Sequence, residues 1–168
     1  MGAYDFVKGN YDRVRDAIAD AAARAGREPG EIALLAVTKF HPLEAVEAAY
    51  DAGARLFGEN RVQEAEEKYP AFLASHPDAR VDMIGHLQSN KAKKAVTLFS
   101  RVQSVDSIEL LAELDRRAAA RAARVEILFE LHTGEESKSG FPNLDELWRA
   151  CEAAAGLGHV APRGLMTM

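Results

Sequence analysis

The sequence lacks the residues and runs that mark several classes of protein. Cys151 is the only cysteine among its 168 residues, so no disulfide can form within the chain. No apolar run approaches the ~20 residues that a transmembrane helix requires. The N-terminal residues contain no apolar stretch of the kind found in secretory signals. We therefore expect a soluble, cytoplasmic protein that does not enter a membrane.

Metal-binding motifs and an excess of positive charge are also absent. The five histidines do not stand at the spacings of metal ligands, and neither H-E-x-x-H nor C-x-x-C occurs. The 21 Lys and Arg residues are outnumbered by 26 Asp and Glu residues, which gives a net charge of −5. That balance argues against nucleic acid as a partner. We expect no metal site, no nucleic-acid partner, and either a monomer or a weak dimer.

What the sequence does contain is an alternation of short aliphatic runs and amphipathic segments, after an N-terminal helix predicted at 4–26. The predicted strands are 32–40, 54–60, 81–88, 101–107, 125–134 and 160–168. Aliphatic runs of this kind are typical of strands buried on both faces of a parallel sheet. Strands that alternate with helices imply right-handed crossovers between parallel neighbours. The sequence therefore predicts a single β/α domain across residues 1–168.

The turns that follow the strands favour a closed barrel over an open sheet. The first turn, TKFHP, has no glycine-rich phosphate cradle of the kind found in open doubly wound sheets. Polar residues follow several strands, as in the active sites of barrels. We therefore predict a TIM-type (β/α)8 barrel. Because only six β/α units can be counted, we expect the last two, about 60 residues, to follow Met168.

Lys39 is the strongest candidate for chemistry, because it directly follows the apolar run ALLAVT. A lysine removed from water at that point is more readily the neutral amine that attacks a carbonyl and forms an imine. The alternative is a strand-end lysine whose long side chain reaches solvent. Position alone leaves both interpretations open.

Polar residues also follow the next strands. Asn60 follows the second strand and His86 the third, where each could hydrogen-bond a ring substituent or a carboxylate. Asn60 could equally cap the next helix, and His86 could be an ordinary loop histidine. The loop at 134–140 is rich in glycine, serine and charge, so we expect it to be mobile when the site is empty.

Five stretches of the sequence resemble those of the pyridoxal phosphate homeostasis protein family, whose members are single-domain relatives of the alanine racemase barrel. They are LLAVTK (34–39), FGENRVQEAEEK (57–68), IGHLQSNK (84–91), TGEESKSGF (133–141) and RGLMTM (163–168). They occur in the family's order and spacing. The resemblance implies an alanine racemase N-terminal-like barrel that binds pyridoxal 5'-phosphate (PLP). It also implies a role in intracellular PLP homeostasis without established catalytic turnover.

The resemblance assigns roles to individual residues. It implies that Lys39 holds PLP covalently as an internal aldimine, and that Asn60 and His86 lie near the cofactor. It also implies that Met166 lines the cofactor face. No residue is assigned a catalytic role.

The sequence departs from the family at three places. The third strand begins Val81-Asp82, where the family has an aromatic residue and a histidine. The fifth strand carries His132 in place of an asparagine. The family's last two strands, which bind the cofactor phosphate, have no counterpart in the sequence. Without those strands Lys39 could still form the imine, but the residues that anchor the cofactor phosphate would be missing.

Three functions are compatible with an imine-forming lysine. The first is a non-catalytic protein that buffers PLP or delivers it to PLP-dependent apo-enzymes. The second is an amino-acid racemase-like enzyme, which needs a second acid or base opposite the lysine. The third is an aldolase in which Lys39 attacks the substrate itself. We favour the first, because all four tyrosines lie in helical patterns and no further domain that could supply the second group is visible.

Overall fold

The computed structural model describes residues 3–134 and 139–168. Within these residues the helices are α1 (Phe6–Arg24), α2 (Leu43–Asp51), α3 (Val62–Ser75), α4 (Ala92–Leu98), α5 (Ile108–Ala119) and α6 (Leu144–Ala155). The strands are β1 (Ala36–Val37), β2 (Leu56–Glu59), β3 (Arg80–Met83), β4 (Arg101–Val105), β5 (Val125–Glu130) and β6 (Val160–Met166). The strict alternation of strand and helix is therefore confirmed.

The strands form one sheet in the order β1-β2-β3-β4-β5-β6, and the recorded pairings are parallel. Contacts between residues group the chain into two compact units. The first unit consists of Met1–Gly58 and Lys68–Arg80, and the second of Glu59–Glu67 and Val81–Met168. The boundary thus runs through β2, α3 and β3.

The core of the first unit is built around aromatic side chains. Phe57 of β2 and Phe72 of α3 meet edge to face, with ring centroids 5.7 Å apart. Tyr69 lies 6.1 Å from Phe57 and 6.0 Å from Phe72. All three rings are buried. Edge-to-face contacts of this kind add to the stabilisation that comes from burying the rings.

The core of the second unit lies under α5, which packs against β5 and β6 and is flanked by α4 and α6. Ser107 caps the N-terminus of this helix, since its Oγ accepts a hydrogen bond from the amide of Leu110 at 3.2 Å. Its buried residues are Leu110, Leu111, Leu114 and Ala118. Leu110 and Leu111 stand four and three positions before Leu114, and Ala118 four positions after it, so all four lie on one face of the helix, as an amphipathic pattern predicts.

The predicted strand bounds are too long. The run at 32–40 was expected to be one strand, but β1 contains only Ala36 and Val37. Extended pairing stops there because the chain turns at once: the amide of His41 donates to the carbonyl of Thr38 at 3.1 Å. The other strands also end earlier than predicted, before the polar residues that follow them. Those residues therefore lie in turns at the carboxyl ends of the strands.

Candidate functional site

Lys39 occupies a tight turn at the carboxyl end of β1. The turn is closed by the hydrogen bond between the carbonyl of Thr38 and the amide of His41, which places Lys39 and Phe40 at its two central positions. Phe40 has a φ of 65°, in the left-handed region that residues other than glycine, asparagine and aspartate rarely adopt. Backbone strain of this kind persists only where the surroundings hold it, and it clusters at functional sites.

The side chain of Lys39 is exposed, as in the second of the two interpretations that the sequence left open, a strand-end lysine that reaches solvent. Exposure alternates along this segment: Val37 is 49% exposed and Thr38 only 5%. Alternate residues of a strand point to opposite faces, so Val37 lies on the open face while Thr38 faces the core. The apolar run predicted burial on both faces, but Val37 is about half exposed at 49%.

Asn60, directly after β2, lies against Gly85 in the second unit. A Cβ atom built on Gly85 would lie 2.6 Å from the Cβ and 2.8 Å from the Cα of Asn60. The close approach of the two backbones therefore requires glycine at position 85. The Oδ1 atom of Asn60 is buried and has no hydrogen-bond partner among the described residues. Buried amide oxygens are nearly always paired in proteins, so this atom is suited to a ligand.

His86 forms a hydrogen-bonded pair with Asp106, which directly follows β4. The Nδ1 atom of His86 lies 2.8 Å from Oδ2 of Asp106. An ionised carboxylate only accepts hydrogen bonds, so Nδ1 carries the proton and Nε2 remains available. Ser104 Oγ donates to the carbonyl of Gly85 at 2.6 Å, which fixes the turn before His86. Asp106 was not among the residues predicted from the sequence, although its position directly after a strand could have indicated it.

Asn60 and His86 line the same pocket, which has a volume of about 470 Å³. The other residues of its wall are Arg61, Val62, Gln63, Met83, Leu87, Gln88 and Lys91. Small-molecule sites usually have volumes of about 300–1,000 Å³ and a few convergent polar groups. Two of the residues singled out from the sequence are thus brought together in the second unit.

Met166 lies at the end of β6 and is half-buried. It is the register partner of Glu130 in β5, and its carbonyl accepts a hydrogen bond from Leu131 at 2.9 Å. Ser139 Oγ donates to Oε1 of Glu130 at 2.8 Å. Residues 135–138 of the loop predicted to be mobile lie outside the described residues, so that expectation stays a prediction.

Neither a metal-ligand cluster nor a membrane-spanning helix occurs in the part of the chain that the structure describes. Within residues 3–134 and 139–168, His, Cys, Asp and Glu side chains do not form a group of three or more that could hold a metal ion. The helices of the same residues are all too short or too polar to cross a bilayer.

Residues 10–168 match the sequence model of a protein family described as alanine racemase, N-terminal domain. The chain is also 38% identical to the pyridoxal phosphate homeostasis protein of Escherichia coli K12, over 95% of this chain and 68% of that protein. These matches confirm the family that the five motifs predicted.

Solved structures show the same relationship. An unknown protein from Bifidobacterium adolescentis is 36% identical, with a TM-score of 0.88 over 96% of this chain and 69% of that one. PipY of Synechococcus elongatus PCC7942, in a structure with PLP bound, is 38% identical. Its TM-score is 0.73 over 90% of this chain and 70% of PipY. The six parallel strands and their helices are therefore an alanine racemase N-terminal-like fold, in agreement with the predicted β/α barrel class.

Proposed function

Because the chain belongs to the pyridoxal phosphate homeostasis proteins, within the alanine racemase N-terminal domain family, we propose that it binds PLP and acts in the homeostasis of that cofactor. The observation that carries this proposal is the likeness to PipY, which is 38% identical and is solved with PLP bound. The homeostasis proteins of Vibrio alginolyticus and Escherichia coli match 95–96% of the chain, so the likeness is not confined to one motif.

We propose that Lys39 is the residue that holds PLP, through an imine. When bound, PLP supplies an aldehyde, which condenses with a primary amine and releases water. Lys39 offers an exposed amine on a turn held in a strained conformation. Exposure makes the amine accessible to a cofactor that enters from solvent. These features support the assignment.

Asn60, His86 and Met166 are the proposed non-covalent contacts to PLP. Asn60 presents a buried amide oxygen without a partner among the described residues, which suits a hydrogen bond from a donor on the cofactor. His86 keeps Nε2 available because Asp106 occupies its other nitrogen. Met166 supplies a half-buried thioether suited to contact with an aromatic ring.

A carrier accounts for these features without a reaction on a substrate, and the relatives are named for homeostasis instead of for a catalysed reaction. We propose that PLP-dependent apo-enzymes in the cytoplasm receive the cofactor, and that the chain is a monomer or weak dimer. A racemase-like activity is the second candidate, because His86 and Asp106 form an oriented acid–base pair. Incubating the PLP-loaded protein with single amino-acid enantiomers, and measuring their optical purity, separates the two.

The lysine assignment is tested by trapping the imine. Borohydride reduction of the protein with PLP should fix one cofactor on the tryptic peptide that contains Lys39, because reduction converts the imine into a stable secondary amine. Lys39→Ala should abolish the absorption band of the imine and leave the unfolding midpoint unchanged, because the side chain is exposed. Mass spectrometry identifies the labelled peptide.

The other lysines provide the control. Lys91 lines the pocket of Asn60 and His86, and Lys93 and Lys94 follow it in the chain. Label confined to these three lysines would refute the assignment of Lys39. Absence of any PLP-dependent absorption band would refute PLP binding itself.

A further inference from the structure

We propose that Tyr69 and Lys68, neighbours on α3, are positioning residues that set the direction of the Lys39 side chain. The proposal rests on the proposed function and goes beyond it, because neither residue is among those proposed to touch PLP. All the contacts that carry it lie within the first unit.

The side chain of Lys39 has no hydrogen bond or ion pair of its own among the described residues, in contrast to the lysines at positions 8, 68 and 94. Its direction therefore depends on the orientation of its backbone. That backbone is fixed through Thr38, because the carbonyl of Thr38 and the amide of Lys39 belong to one planar peptide unit. Whatever holds Thr38 also holds the start of the Lys39 side chain.

Tyr69 holds the side chain of Thr38. Its hydroxyl lies 2.6 Å from Oγ1 of Thr38, and both residues are buried. Oγ1 of Thr38 also lies 3.4 Å from the carbonyl of Gly58. The ring of Tyr69 is packed against Phe57 and Phe72, which leaves its hydroxyl little freedom to move.

Lys68 holds the backbone of Thr38. Its Nζ donates to the Thr38 carbonyl at 3.0 Å, and the amide of His41 donates to the same oxygen at 3.1 Å. The amide of Thr38 in turn donates to the carbonyl of Gly58 at 3.1 Å. The amide, carbonyl and hydroxyl of Thr38 are thus all hydrogen-bonded, and two consecutive residues of α3 supply two of the partners.

These contacts involve more than packing. A purely apolar role for position 69 would need the aromatic ring but not its hydroxyl, and a surface role for position 68 would not direct the ammonium to a strand-end carbonyl. Hydrogen bonds from charged donors are stronger than neutral ones. The ammonium of Lys68 therefore stabilises the strained turn at the peptide that leads into Lys39.

The test compares Tyr69→Phe and Lys68→Met with two matched variants of the first unit. Tyr50→Phe removes a hydroxyl that donates to Asp78 at 2.7 Å, and Lys8→Met removes an ammonium paired with Asp12 at 2.8 Å. PLP affinity is measured from the imine absorption band. Loss of the hydrogen bond to Thr38 should weaken PLP binding roughly five-fold in Tyr69→Phe and Lys68→Met. The two control variants should stay within about two-fold of the parent protein, because exposed pairs contribute little. Lys68→Arg, which keeps a charged donor, should restore binding.

A second measurement separates direction from accessibility. Reductive methylation with formaldehyde needs only a free amine, so Lys39 should be methylated at the parent rate in Tyr69→Phe and Lys68→Met. The proposal would be overturned if Tyr69→Phe and Lys68→Met bound PLP as tightly as the two control variants. It would also be overturned if the methylation rate of Lys39 fell as much as the PLP affinity. Failure of Lys68→Arg to restore binding would also overturn it. An imine that persists in Lys39→Ala would instead refute the lysine assignment of the proposed function.

Discussion

Gly85 lies so close to Asn60 that a side chain at position 85 has no room. A Cβ atom there would be 2.6 Å from the Cβ and 2.7 Å from the carbonyl oxygen of Asn60. These are atoms that cannot rotate away, since one is backbone and the other is fixed to it. Any side chain at position 85 must therefore displace either the turn before His86 or the end of β2.

Gly85→Ala should destabilise the protein by about 1–3 kcal/mol, the usual cost of inserting a methyl group into a packed site. It should also weaken PLP binding, because Asn60 must move. Urea unfolding and the PLP titration measure the two effects. Gly9→Ala is the control: its Cβ would meet nothing within 4 Å and it lies inside α1, so it should stabilise by about 0.5–1 kcal/mol. A neutral Gly85→Ala would contradict the packing described here.

Single residues also show the limits of reading the sequence. The position of Lys39 at a strand end was predictable, because the aliphatic run stops there. The exposure of its side chain was not predictable, because segments distant in the chain determine which face of a strand is buried. Tyr69 lies in a helical pattern of the sequence, and such a pattern carries no information about which carbonyl the ammonium of its neighbour Lys68 will reach.

At the scale of elements, the order and type of the helices and strands followed from the sequence. The aliphatic runs, alternating with amphipathic segments, predicted all six strands in the right order. Their ends were set by hydrogen bonds that patterns do not reveal, such as the one from His41 to Thr38 that stops β1.

The capping residues of α5 and α6 should contribute measurably to stability. Ser107 Oγ accepts from the amide of Leu110, and Asn143 Oδ1 accepts from the amide of Glu146 at 2.9 Å. Ser107→Ala and Asn143→Ala should each cost about 1 kcal/mol of unfolding free energy, because an amide of the first turn loses its acceptor. Urea unfolding followed by circular dichroism measures the change. Ser107→Asp, which keeps an acceptor, should be near neutral, and an equal loss in Ser107→Asp and Ser107→Ala would contradict a capping role.

Across the whole molecule, both units contain carboxylates that are stabilised in the ionised form. In the first unit, the hydrogen bond from Tyr50 and then that from Arg55 lower the pKa of Asp78. In the second unit, the hydrogen bond from Arg101, reinforced by Arg163, lowers the pKa of Glu126. Hydrogen bonds from arginines also lower the pKa of Glu113 in α5. The same kind of interaction therefore occurs in each unit.

These lowered pKa values predict a loss of stability in acid. A carboxyl whose pKa is lower in the folded state contributes its full stabilisation above its unfolded pKa, and loses it as the pH falls through the folded value. The urea midpoint should therefore fall between about pH 5 and pH 3. Glu126→Gln should lower the midpoint at pH 7, because Arg101 and Arg163 lose a partner held at 2.6 and 2.7 Å. It should also reduce the further fall in acid, because one titrating group is gone. A midpoint that stays constant from pH 7 to pH 3, or an acid-induced fall in Glu126→Gln as large as in the parent protein, would show that these pairs are too well screened by solvent to matter.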